Sequence, residues 1–299
     1  MIPIDKILKS IAHIQYVGSH NASINKPIAL NFDNEDDHAI MWCSDKYANN
    51  LDKLKRGTVI CGRHEIGNLQ KCNYIFVSNP RLAFQELLTT FFNPKKEYSI
   101  GASSKIHNSA ILGKDIFIGE NVIVEENCKI GDNVEIDHNT VIKANTEISR
   151  NVKIGANCTI GGIGFGYELN GEKKYVVIPH LGNVVIKEKV EIGNNTCIDR
   201  AVLGSTILEE NVKVDNLVHI AHGVIIGKNS LIIANSMIAG STQIGENVWV
   251  APSASILNKK RIESNSYIGM GAVVVKDVDS HQVIVGNPGK PLKKLEDKP

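Results

Sequence analysis

Along most of the chain an aliphatic side chain returns at every sixth position. The run Leu208, Val214, Ile220, Ile226, Ile232, Ile238, Ile244, Val250, Ile256, Ile262, Ile268, Val274 keeps step without a gap. A helix repeats at 3.6 and a half-buried strand at 2. A sustained period of six predicts a parallel β-helix. Between the aliphatic positions sit Gly, Asn and Glu, as in Ile226-Gly227-Lys228-Asn229. Gly and Asn tolerate the left-handed backbone angles of tight corners. Each hexad therefore reads as a short strand plus a corner, and three hexads close a triangular coil. The aliphatic residue points inward and stacks on its equivalent one coil away, at about 4.8 Å.

An earlier run comprises Ile100, Ile106, Leu112, Ile118, Val124, Ile130, Ile136, Ile142, Ile148, Ile154 and Ile160. It breaks at Gly161-Gly162-Ile163-Gly164-Phe165-Gly166-Tyr167, and an excursion lasts to about Leu181. Hexads resume at Ile186, Ile192 and Ile198 and slip phase near Gly204. Long loops that leave a regular solenoid are usually functional or interface elements, so 161–181 reads as a flap.

Residues 1–97 lack the period. The expected elements are a helix over Asp5 to His13, strands at Pro27 to Phe32 and Ala39 to Cys43, and a helix over Lys46 to Leu54. Strands follow at Thr58 to Cys61 and Tyr74 to Val77, then a helix from Asn79-Pro80 through Phe92, since Pro suits a first turn. The plan is an α+β N-terminal domain (1–97), a β-helix domain (98–285) and a short tail (286–299), with one or two helical turns over Leu292 to Lys298. A trimer packed about a threefold axis is expected, because the flat coil faces invite identical neighbours.

Composition narrows the function. Basic and acidic residues number 33 and 32, so bulk charge gives no reason to expect nucleic acid or an acidic membrane surface as partner. Aromatics make up only 5%, which suits thin coils. The cysteines Cys43, Cys61, Cys72, Cys128, Cys158 and Cys197 form no CxxC pair and read as reduced thiols of a cytoplasmic protein. No apolar run approaches a membrane span, and no signal-peptide pattern opens the chain.

Chemistry is sparse. The Gly161–Tyr167 stretch lacks the GK[ST] of a phosphate loop and does not match GxGxxG. His219 and His222 flank inward-facing Ile220, so both reach the outside of one coil region, with Asp215 and Asn216 in the preceding hexad. A histidine oriented by a carboxylate suits general-base work on an amine or hydroxyl; the bland reading is a polar solenoid surface. Two histidines three apart without a third ligand do not define a metal site. The other histidines give no constellation by spacing. Trp42, Lys46 and Tyr47 either stack on a base and meet a phosphate or simply pack. Lys259-Lys260-Arg261 either contacts an anionic donor or is a solvated corner.

The chain resembles the UDP-3-O-acylglucosamine N-acyltransferases. The carriers are Asn79-Pro80-Arg81-Leu82-Ala83, Gly164-Phe165-Gly166-Tyr167, Ile178-Pro179 before Gly182-Asn183-Val184-Val185-Ile186, Val190 to Ala201 with Ile198-Asp199-Arg200-Ala201, and Asp215-Asn216 with Ile220-Ala221-His222. This resemblance implies a left-handed β-helix trimer with active sites between subunits. It implies His222 as base, Asp215 as its paired acid with Asn216 beside it, and the Gly240 amide at the oxyanion. Phe165, Tyr167 and His219 fall to the substrate, and Trp42, Lys46 and Tyr47 to the uracil. The donor is an acyl-CoA or acyl-carrier-protein thioester, with phosphopantetheine as its arm and Lys259, Lys260 and Arg261 beside it; no metal and no prosthetic group is required. The chain departs from the family in three places. Asn258-Lys259-Lys260 replaces a second histidine. Met41 and Ser44-Asp45 replace Phe and Asn-Pro. Gly286-Asn287-Pro288-Gly289-Lys290-Pro291 resembles the ending of CoA-dependent hexapeptide enzymes. The alternative these support is a dTDP- or UDP-amino-deoxysugar N-acyltransferase using a short acyl-CoA for a surface glycan. A non-catalytic hexapeptide scaffold is the alternative from another class.

Overall fold

A computed structural model describes residues 1–63, 72–94 and 96–294. The chain divides into two compact units, Met1–Lys95 and Lys96–Pro299.

The first unit is built on a five-stranded sheet in the order Gln15–Val17, Asn73–Phe76, Thr58–Cys61, Ala39–Trp42, Lys26–Pro27. Only the Gln15–Val17 pairing is antiparallel. One sheet face carries Ile40, Ile60 and Ile75 against helices Ile4–Leu8 and Pro80–Leu87. The other carries Met41, Val59 and Tyr74 against a 3-10 helix, Asp45–Lys53. Asn79 caps the Pro80 helix by accepting the Leu82 N–H at 3.1 Å, and a π-turn, Leu88–Phe92, continues it.

Two expected elements are shorter than their sequence pattern. The first helix stops at Leu8, because the Ser10 hydroxyl donates to the Ile7 carbonyl at 2.8 Å and the turn closes there. The strand expected over Pro27 to Phe32 ends at Pro27, and further on the Asn31 side chain accepts from the Asp33 N–H at 3.0 Å and folds the chain into a turn at 32–33.

The second unit is the β-helix. Two-residue strands alternate with corners, and every inward Ile, Val or Leu from Ile118 onward joins one continuous core. The chain visits three parallel faces in rotation. The first face starts at Ser99–Ile100, the second at Lys105–Ile106 and the third at Ile111–Leu112. Corner after corner holds an Asn with φ between 55° and 63°, including Asn121, Asn127, Asn133, Asn139 and Asn145. Asn bears this conformation at least cost after Gly. These side chains also bond one coil up, Asn121 to Asn139 and Asn211 to Asn229. The solenoid is the left-handed β-helix of hexapeptide repeats expected from the sequence.

Most strands meet their neighbour 18 residues on, as Ile207 meets Ile225. Two coils are longer. Thr159 pairs with Cys197, and Cys197 with His219. The first of these coils holds the excursion, whose exposed hairpin pairs Tyr167–Leu169 with Tyr175–Val177. The second absorbs the slip near Gly204.

The helical turn expected in the tail is corrected over Leu292–Lys294. Lys290–Lys294 is a strand, antiparallel to Gln282–Val285. It covers the last open edge of the first face, which would otherwise expose unpaired amides. Leu295 to Lys298 lie outside the described residues.

Candidate active site

The corner between the second and third faces gathers the chemistry. Both longer coils bulge at this corner, and the excursion returns to it through His180. Ala221-His222, Ala239-Gly240-Ser241 and Asn258-Lys259 climb it coil by coil, and with Phe165, Asp199, His219 and Met237 they line a cleft of about 400 Å³.

His222 is clasped from both sides. A Cβ built on Gly240 would lie 2.7 Å from both Cε1 and Nε2 of the imidazole, so any side chain at 240 would displace the ring. On the far side a Cβ at Gly164 would fall 2.9 Å from His180 Nε2 and 3.0 Å from His222 Cβ. His180 packs edge-on against His222, ring centroids 5.3 Å apart. It is 6% exposed, its Nδ1 lies 2.7 Å from the Ile178 carbonyl, and its Nε2 has no partner among the described residues. Since a carbonyl only accepts, Nδ1 carries a proton. Burial, and then the nearby His180, push the His222 pKa below the ordinary histidine value. A depressed pKa keeps the imidazole neutral at neutral pH, the state a general base needs.

Asp199 lies one coil below, 9% exposed, with Oδ2 3.6 Å from His219 Nε2. Burial pushes its carboxyl pKa up, against the pull of His219 and His180. His219 projects outward between Cys197 and Met237 of the neighbouring coils.

Several expected partners separate. Asp215 and Asn216 belong to the corner between the first and second faces, one hexad before His222. Asp215 Oδ1 accepts from the Asn216 N–H at 2.7 Å and Oδ2 from the Ala234 N–H at 3.2 Å. Asn216 Oδ1 accepts from the Asn194 N–H at 2.7 Å. Asp215 and His222 thus sit at different corners, and among the described residues no hydrogen bond or ion pair joins them within this chain. Trp42 is also set apart from Lys46 and Tyr47. Strand alternation turns Trp42 to the Ile40 side of its sheet, whereas the helix bearing Lys46 and Tyr47 covers the Met41 side. Lys46 Nζ sits 5.4 Å from the Tyr47 ring centroid. The basic cluster splits as well: Lys259 lines the cleft, but Arg261 borders a shallow groove on the third face, and Lys260 lines neither. Phe165 and Tyr167 stay together, centroids 4.9 Å apart, and with Tyr175 form an exposed apolar patch.

Spacing gave no reason to single out His180 or Asp199. One signal existed. In hexad phase, Asp199 takes the place of Ala221 one coil down, at the mouth of the corner that holds His222. Among the described residues no group of three His, Cys, Asp or Glu side chains is arranged to hold a metal, and no helix is long and apolar enough to cross a membrane.

A β-helix of hexapeptide coils with a clasped imidazole in a corner cleft is the architecture of a hexapeptide transferase, and the bacterial transferase hexapeptide (six repeats) family matches residues 127–162 and 205–240. The curated UDP-3-O-acylglucosamine N-acyltransferase of Helicobacter hepaticus is 42% identical over 255 residues, covering 82% of this chain and 78% of that one. The chain belongs to the UDP-3-O-acylglucosamine N-acyltransferase family. The Caulobacter relative of the same name is 40% identical over 135 residues, 45% of this chain and 39% of that one, so this match spans well under two thirds of the relative's length. Among solved structures, the UDP-N-acetylglucosamine acyltransferases of Francisella novicida (TM-score 0.61, 22% identity, 66% of this chain and 70% of that one) and Campylobacter jejuni (0.60, 23%, 66% and 75%) share the fold.

Proposed function

We propose that this protein transfers an acyl group from a thioester to the amino group of a UDP-linked amino sugar, with UDP-3-O-acylglucosamine as acceptor. The observation that carries this reading is the His222 imidazole held against Gly240 in the corner cleft. His222 takes the proton as the sugar amine attacks the thioester carbonyl. The Gly240 N–H, which meets no acceptor among the described residues, donates to the tetrahedral oxyanion. Phe165 forms the flap side of the cleft, and Tyr167 extends it. Lys259 meets the donor, an acyl-carrier-protein or acyl-CoA thioester. The nucleotide falls to the first unit through Lys46 and Tyr47. The exposed apolar hairpin 167–177 supports a homotrimer, in which a neighbouring subunit covers it. Asp215 and Asn216 brace the adjoining corner.

Replacing His222 with Ala should lower kcat by orders of magnitude while the melting temperature holds; unchanged turnover sinks the general-base assignment. Met41 and Ser44-Asp45 motivate a second reading, a dTDP-amino sugar acceptor with a short acyl-CoA. Thermal shifts by UDP and dTDP separate the two, because a ligand that binds only the native state raises its melting temperature. A larger shift by dTDP overturns the UDP reading.

A further inference from the structure

The transfer moves two protons, and the cleft holds two imidazoles. We propose that His219, held by Asp199, is the acid that protonates the departing thiolate, so that base and acid roles are divided between His222 and His219. This rests on the acyl-transfer reading above and adds a second reacting group to it.

The two rings line the same cleft from one coil. Their surroundings differ. His222 is wedged between Gly164 and Gly240 and faces another imidazole, His180. His219 is half exposed and faces a carboxylate, and Asp199 forms no other ion pair among the described residues. A nearly buried carboxylate is costly unless it is paired. Asp199 can thus bear the counter-charge when His219 acts as the acid, while His222 packs against a second imidazole instead. Titratable groups set in opposed environments mark the acid and the base. The charged and titratable groups facing His219 are Cys197 and Asp199 from the coil below, His222 from its own coil, and Lys259 from the corner two coils above. His180 stands behind His222, on the excursion.

The protons balance. The amine gives one to His222 as the C–N bond forms. The C–S bond then breaks, the sulfur keeps the electron pair, and it takes a proton from Nδ1 of His219, whose Nε2 faces Asp199. The products are an amide and a free thiol. His222 then releases its proton to water and His219 regains one.

The test compares an alkyl thioester donor with an aryl thioester, whose thiolate leaves unprotonated far more readily, using the same acceptor and the whole protein. His219→Gln should lower kcat/KM with the alkyl donor on the order of 100-fold or more and much less with the aryl donor. Asp199→Asn should show the same selective loss, smaller in size. Equal losses with both donors, or none with either, overturn the proposal. His222→Ala is the control for the underlying reading: it should lose rate with both donors, and if it does not, that reading fails while the donor-selective loss at His219 still stands or falls on its own measurement.

Discussion

Two corners of the same coil, one hexad apart, do opposite things. At the corner holding Asp215, side chains and amides of successive coils satisfy one another. Ala156 N–H donates to Asn194, Asn194 N–H to Asn216, and Ala234 N–H to Asp215. At the corner holding His222, no such ladder runs between Arg200, His222, Gly240 and Asn258 among the described residues. Glycines there admit an imidazole instead, and loop segments bulge to bring in His180 and Asp199. The backbone geometry is nearly the same, so the contrast lies in what the corner amides are given to bond. A ladder spends them on stability, and an open corner leaves them for a ligand.

The comparison is broken most sharply at Gly240. A Gly240→Ala substitution drives a methyl into the His222 ring and should lower kcat about 100-fold or more, with secondary structure unchanged by circular dichroism. Retained turnover would mean that the clasp on His222 is irrelevant. At the opposite corner, Asp215→Ala leaves two amides without their carboxylate and should cost about 1.5–3 kcal/mol of stability, read from the denaturant midpoint. Its kcat should stay within a few-fold of the parent. A large loss of kcat at unchanged stability would show that Asp215 reaches an imidazole after all, from a neighbouring subunit. A finer cut is His180→Phe, which keeps the edge-on packing but removes the charge. Because the His222 pKa is depressed, activity should hold at neutral pH and fall as the pH drops through that low value. Burial, the larger cause, remains in the variant, so the fall should move upward in pH only modestly; an unmoved profile assigns the depression to burial alone. Smallest is Asn211→Ala, which cuts one rung to Asn229 and an Asn favoured at φ 61°. A loss of about 1 kcal/mol in a thermal or denaturant melt is expected, with no change in rate.

Much of the solenoid was legible in the chain, and the reason is local. An inward aliphatic at each sixth position and an Asn or Gly at each corner fix strand, turn and register together, so Ile220 and Ile226 could be assigned inside without coordinates. His222 was legible as a corner residue for the same reason. The excursion was visible as a break in phase at Gly161, and its length was plain.

What sequence could not settle was where irregular chain returns. Hexad phase places a residue along a coil, but it says nothing of a loop that leaves the coil for twenty residues, so His180 had no address until the fold supplied one. It also put Asp215 near His222 in number while a whole flat strand separates their corners. Trp42 and Tyr47 stand five apart, yet strand alternation and the helix that follows place them on opposite faces of a sheet. Periodic packing is a short-range rule that the amino-acid pattern carries by itself. Meetings such as His180 with His222, or Asp199 with His219, depend on loop closure and on coils of unequal length, and only the tertiary structure decides those.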